Sequence, residues 1–159
     1  MTPEQRRGFY AGSFDPPTLA HIDIALRARQ LCDSLVIAVG SNPTKTPLLS
    51  DAQRIDLLRT CVKDADIEVV SYQGGTLAAA RAHNATLLIR GLRHGQDVDH
   101  EHPRAECHRR QGLETIALFS RYDQAFISST LARELLLAGH GLDHVVPTVV
   151  AEALRNTVP

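Results

Sequence analysis

With 159 residues, 43% of them hydrophobic and 22% charged, the chain has the length and mixture of one globular domain with a real core, which excludes a disordered or fibrous class. A formal net charge of −1 excludes a global electrostatic pull towards nucleic acid or membrane, so any anion recognition has to come from local clusters. Cys32, Cys61 and Cys107 form no C-x-x-C pair, and neither a membrane-length apolar run nor a signal-peptide core occurs, so the expectation is a cytoplasmic protein without a disulfide framework.

In chain order, "RGFYAG" (7–12) is a compact apolar run bounded by glycine, as a buried strand should be. The segment after it carries Ile22, Leu26 and Leu31, with Ile24 and Ala25, and predicts an amphipathic helix with those residues as its apolar stripe. "SLVIAVG" (34–40) predicts a second strand, and Ser50–Gln53 has the S-x-x-Q form of a capping box opening a helix to about Val62. "IEVVSY", "ATLLIRG" and "ETIALFS" predict three more strands; "TLAAARAH", Ser129–Ala138 and Pro147–Asn156 predict helices. Strands alternating with helices predict an α/β fold, a single-domain Rossmann-like doubly wound parallel sheet of five strands with helices on both faces. In such sheets ligands sit beyond the carboxyl ends of the strands. The segments following strands one, two, four and five are "GSFDPP", "GSNPTKTP", "RGLRHG" and "SRYDQAFISST", which gathers polar and cationic residues along one rim.

In the first of these, Gly12 permits a tight turn and Pro16 and Pro17 fix the chain ahead of a helix. The helix mouth presents unpaired amides and a partial positive charge, a ready phosphate site, and His21 stands there as a hydrogen-bond donor. Asp15 reads as an Asx-type turn residue. Arg90 and Arg93, three residues apart at the end of an apolar run, read as forks facing a ligand at the rim. Lys45 is set between Pro43 and Pro47 in a positioned loop, and the serines of "ISST" cap a helix or cradle phosphate through their amides.

The stretch "GSFDPPTLAH" resembles the signature of small nucleotidyltransferases. With "HIDIALRA", "SNPTKTPLLS", "ATLLIRGLR" and "FISSTLARE" the whole chain resembles the bacterial phosphopantetheine adenylyltransferases. The resemblance implies transfer of AMP from ATP to 4′-phosphopantetheine, with Mg2+ accompanying ATP, yielding dephospho-coenzyme A and pyrophosphate. It implies catalytic roles for His21, Lys45 and Arg93 and an ATP site of Ser13, Phe14, His21, Gly91, Leu92, Arg93, Glu101, Gln124, Ala125, Phe126, Ile127, Ser128, Ser129 and Thr130. Ser13, Lys45, Thr76 and Arg90 would hold the acceptor, and the chain would assemble as a hexamer with neither nucleic-acid nor membrane partners. The acceptor phosphate is already a competent nucleophile, so the chemistry asks for two anions brought together and for charge stabilisation rather than for a strong base.

The chain departs from the family pattern in four places. Ala20 replaces a glycine, and the segment after "IRGLR" reads "HGQDVDHE", keeping Asp97 and Glu101 but no aromatics. Pro103 stands in the next helix, where it disfavours helical geometry at His102 unless it lies in the first turn. On the acceptor side the segment is "QGGTLAA", with Thr76 for a bulky apolar residue and His108 where asparagine is common. These changes leave open a different phosphorylated acceptor, for example one resembling nicotinate mononucleotide, or a silent paralogue that only binds nucleotide or coenzyme A. His100, His102, Cys107 and His108 match no usual zinc spacing and read as a polar loop facing solvent or a neighbouring subunit.

Overall fold

The computed structural model describes residues 5–41 and 46–157. Five strands, β1 (Arg7–Gly12), β2 (Ser34–Gly40), β3 (Glu68–Tyr72), β4 (Leu87–Leu92) and β5 (Glu114–Phe119), form one parallel sheet in the order β3-β2-β1-β4-β5. The helices are α1 (Leu19–Arg29), α2 (Asp51–Cys61), α3 (Thr76–Ala82), α4 (Gly95–Arg109), α5 (Ser129–Leu137) and α6 (Thr148–Arg155). The order runs outward from β1 in one direction and returns through β4 in the other, so the switch point lies between β1 and β4.

Side-chain alternation sorts each central strand between two faces. Tyr10, Leu35, Ile37, Val39 and Ile89 pack with Ile24, Ala25 and Ala28 of α1 and Leu58 of α2. Phe9, Ala11, Val36, Ala38 and Leu88 face the other way, against Ala80 of α3 and Leu113. A third cluster joins Leu57 of α2 to Ala132 of α5 and Val150, Ala151 and Leu154 of α6, which seats the start of α5 beside the strand ends. No helix among the described residues is long and apolar enough to cross a membrane.

Two expectations are corrected here. The buried face of α1 is Ala20, Ile24, Ala25 and Ala28, whereas Leu26 and Leu31 are about two-fifths exposed (39% and 41%). The two small residues Ala25 and Ala28 let the helix lie close on the sheet, and this outweighs the pull of bulkier side chains one position away. Pro103 lies in the middle of α4 rather than in its first turn, and the helix continues through it. None of α4's residues is fully buried, so the carbonyl that the proline leaves unpaired is open to water.

Candidate functional site

Two cavities open along the carboxyl rim of the sheet. The larger, about 690 Å³, lies over β1–β3, between Ser13, Ser41, Gln73 and Gly74 on one side and Ser129, Thr130 and Arg133 on the other. The smaller, about 270 Å³, lies at the β1/β4 switch point, where Phe14, His21, Arg90, Gly91, Arg93, Glu101, Ile127 and Ser128 meet. Ser129 lines both, so they adjoin at the N-terminus of α5. A third recess of about 440 Å³ continues outward past Arg93, His100, Glu101 and Arg104.

The local sequence fixes His21. Thr18 is the N-cap of α1 and His21 its third residue, and the two form a reciprocal capping box. The His21 amide donates to Thr18 Oγ1 at 3.3 Å, and the Thr18 amide donates to His21 Nδ1 at 3.1 Å. A ring nitrogen that accepts an N–H cannot carry the proton, so this contact assigns the hydrogen of the neutral ring to Nε2. Phe14, held at a positive φ of 48°, packs its ring 5.0 Å from the imidazole in an edge-on arrangement. Burial first, and the positive charge of Arg93 second, push the His21 pKa down to about 4. At neutral pH the site therefore has an uncharged donor whose hydrogen is on the nitrogen not occupied by the cap.

Arg90 is inside β4 and lines His21's cavity, not Ser13's. Its guanidinium donates to the Ala11 carbonyl at 3.1 Å and pairs with Glu101 at 3.2 Å, while Glu101 also accepts from Arg104. Arg93, just past the strand, is exposed; Asp97 accepts from its amide at 2.7 Å and holds the start of α4. At α5 the serine hydroxyls are already engaged: Ser128 Oγ accepts from the Leu131 amide at 3.0 Å and Ser129 Oγ donates to the Pro16 carbonyl at 2.9 Å. The donors left for an anion are the backbone amides of the first turn.

Three loops are fastened to each other by buried charges that the sequence does not announce. Asp15 is not an Asx-turn residue: its carboxylate crosses to the next loop, accepting from the Leu48 and Leu49 amides at 2.9 Å each, and pairs with Arg133 of α5. The carboxylate satisfies two amides and a cation at once, whereas a local turn would satisfy one amide. Arg54, 3% exposed, donates to the carbonyls of Ser13 at 2.5 Å and Gly40 at 3.3 Å, and pairs with Asp51. The Ser41 hydroxyl, and after it Arg54, hold the Asp51 carboxyl below the usual carboxylate range.

Among the remaining predicted residues, Ser13 and Thr130 line the larger cavity and Ile127 the smaller. Leu92 is buried, Gln124 and Ala125 belong to a short turn, and Phe126 is 59% exposed; none of the four lines any of the three cavities described above. Thr76 opens α3 with its hydroxyl 3.3 Å from that of Tyr72 and lines none of the three cavities. Lys45 lies outside the described residues. His108 is half-buried on α4; burial, then the charge of Arg90, holds its pKa down. Arg54, Arg133 and Tyr10 line the cavities although the motifs do not single them out.

A parallel sheet whose rim offers a neutral imidazole donor, guanidinium groups and a helix mouth can bind phosphates and stabilise charge developing on them. The sequence profile of the cytidylyltransferase-like family matches residues 9–135, which places the chain among nucleotidyltransferase-type proteins of that class. The chain is 39% identical over 150 residues to a phosphopantetheine adenylyltransferase of Dehalococcoides mccartyi, covering 92% of this chain and 94% of that one. A Rhizobium leguminosarum protein of the same description is 37% identical over 159 residues, covering 95% and 97%. The chain belongs to the phosphopantetheine adenylyltransferase family. Its fold is also that of a solved putative nicotinate-nucleotide adenylyltransferase from Vibrio parahaemolyticus, with a TM-score of 0.69 at 16% identity over 96% of this chain and 93% of that one.

Proposed function

We propose that the protein transfers the adenylyl group of MgATP to the phosphate of 4′-phosphopantetheine, giving dephospho-coenzyme A and pyrophosphate. The observation that carries this reading is the convergence on one cavity of the neutral His21 donor, Arg93 and the first turn of α5. An acceptor phosphate oxygen attacks the α-phosphorus, a P–O bond forms, the bond to the bridging oxygen of the β-phosphate breaks, and its electron pair leaves with pyrophosphate. No proton has to move. His21 Nε2–H donates to the α-phosphate as charge builds there, and Arg93 with the amides of Ser128, Ser129 and Thr130 receives the leaving pyrophosphate. Gly91, Glu101 and Ile127 enclose the nucleoside, Ser13 stands between the substrates, and Lys45 and Arg90 hold the acceptor phosphate.

Magnesium belongs to the substrate in this reading. Asp15, Asp51 and Glu101 are each paired with a guanidinium, so these cavity carboxylates make a poor protein-held site and suit an ion carried on phosphate oxygens. A cytoplasmic homo-oligomer, a hexamer by family likeness, completes the reading.

One observation favours a second acceptor. The larger cavity is bordered by Gln73 and Gly74, with open space beside Gly74, and Thr76 is turned to Tyr72, so these three positions supply no bulky apolar side chain to grip a pantetheine tail. Incubation with ATP, magnesium and 4′-phosphopantetheine should release pyrophosphate and form dephospho-coenzyme A. Release only with nicotinate mononucleotide or another phosphorylated acceptor would transfer the reading to that substrate, and ATP binding with no turnover on any acceptor would refute an enzymatic role.

A further inference from the structure

The floor of the smaller cavity carries a hydroxyl that the transfer step leaves unused. Tyr10, on β1, pairs in register with Ile37 of β2 and Ile89 of β4 and lies on the α1 face of the sheet, 5% exposed. Its ring is fixed by a T-shaped contact with Phe14, centroids 5.3 Å apart. Among the described residues the hydroxyl has no hydrogen-bond partner, although the side chain borders the cavity. The hydroxyl opens onto the cavity instead of being sealed in the core, so it is free to meet a ligand, and a phenylalanine would fill the same space without it.

The surroundings say what the hydroxyl faces. Gly91 stands beside it: a Cβ there would lie 3.8 Å from the Tyr10 hydroxyl and 3.3 Å from Ile24 Cγ1, so the bare backbone leaves this corner open. The side chains packed beside the hydroxyl, Phe14 and Ile24, are apolar, while Arg90, His21 and Arg93 line the rest of the same cavity. An apolar recess with one well-placed polar group is how a site receives a base or sugar rather than a polyanion. Burial, opposed only in part by the charge of Arg90, raises the phenol's pKa, so the group stays protonated and can donate.

We propose that Tyr10 is a nucleoside-binding residue: its hydroxyl donates a hydrogen bond to an acceptor nitrogen or oxygen on the adenosine half of ATP. The inference rests on the reading of the smaller cavity as the ATP site.

The test is calorimetric titration of the full chain and of Tyr10→Phe, with magnesium, using ATP and inorganic tripolyphosphate as separate probes. The variant should bind ATP between about three- and tenfold more weakly, bind tripolyphosphate as the unaltered protein does, and melt at the same or a higher temperature. A purely structural tyrosine would lower the melting temperature in Tyr10→Phe and spare the ratio of the two affinities. In the unaltered protein, with tyrosine labelled at Cζ, the Tyr10 resonance should shift on addition of ATP and stay in place with tripolyphosphate; Tyr72→Phe and Tyr122→Phe assign the signals without touching Tyr10. Unchanged ATP affinity in Tyr10→Phe, equal weakening for both probes, or a Cζ signal indifferent to ATP would overturn the proposal. An unaltered protein that binds no ATP would overturn the nucleotide site and this inference together.

Discussion

Replacing Asp15 by asparagine tests how the phosphate loops are held. The carboxylate, its side chain 7% exposed, accepts from the Leu48 and Leu49 amides and pairs with Arg133. An asparagine keeps one acceptor oxygen and turns an NH2 group towards partners that are themselves donors. One buried donor then goes unpaired, at about 1–3 kcal/mol. Arg133 also loses its counter-charge, but its side chain is 36% exposed and water recovers much of that, so the added cost is about 1 kcal/mol. The sum, about 2–4 kcal/mol, corresponds in a domain of this size to a melting temperature lowered by about 5–15 °C. Because Asp15 ties the first loop to Leu48–Leu49 and to α5, turnover at a temperature where the variant is folded should fall at least about tenfold through misplaced groups. Calorimetric melting at pH 7 and an initial-rate pyrophosphate assay at 15 °C measure the two effects. A melting temperature within about 2 °C of the unaltered protein, with turnover intact, would refute the reasoning, since it would mean the carboxylate fastens nothing.

Removing the imidazole in His21→Ala should lower kcat by about 10²–10³-fold and leave ATP affinity within about threefold, because a preorganised donor to the α-phosphate matters most as charge builds there. Equal losses in kcat and in ATP affinity, measured by single-turnover kinetics and equilibrium titration, would mean the ring only holds the ground state. The pH profile is a separate check. With the His21 pKa at about 4 instead of the usual 6.5, kcat should show no inflection from this group near 6.5, and its acid limb should lie near 4. The unfolded chain takes up this proton more readily than the folded one, so the stability attached to His21 is fully present above pH 6.5 and is lost as pH falls towards 4. An NMR titration placing the His21 midpoint near 6.5 would contradict the neutral assignment of this half-buried ring.

The parts of this molecule that could be read from the sequence are those set by neighbours in the chain. The five strands announce themselves as apolar runs ending in turn residues, and the Ser50 capping box is present, with Gln53 Oε1 accepting from the Ser50 amide at 2.9 Å. His21 was placed at a helix mouth by its own loop. Asp15 escapes a local reading because its partners are 33, 34 and 118 residues away, a distance over which an Asp-Pro pair looks like any turn. Arg54 is hidden for the same reason: nothing in a helix of ordinary polar pattern marks one arginine as buried beneath two loops. Of the α1 stripe, Ile24 and Ala25 are buried and Ile22 packs against the core, whereas Leu26 and Leu31 are not, because close packing by alanine decides the face there.

The way Arg54 grips its neighbours bears on how this chain could change its substrate. It fastens Ser13 and Gly40 through their carbonyl oxygens, which every amino acid possesses; at Gly40 a Cβ would come within about 3 Å of the Tyr72 ring, but at Ser13 the clamp is blind to the side chain that lines the cavity. Mutations can therefore repaint the surface that meets an incoming acceptor while the spacing of the strand ends, and with it the alignment of the reacting phosphates, is inherited unaltered.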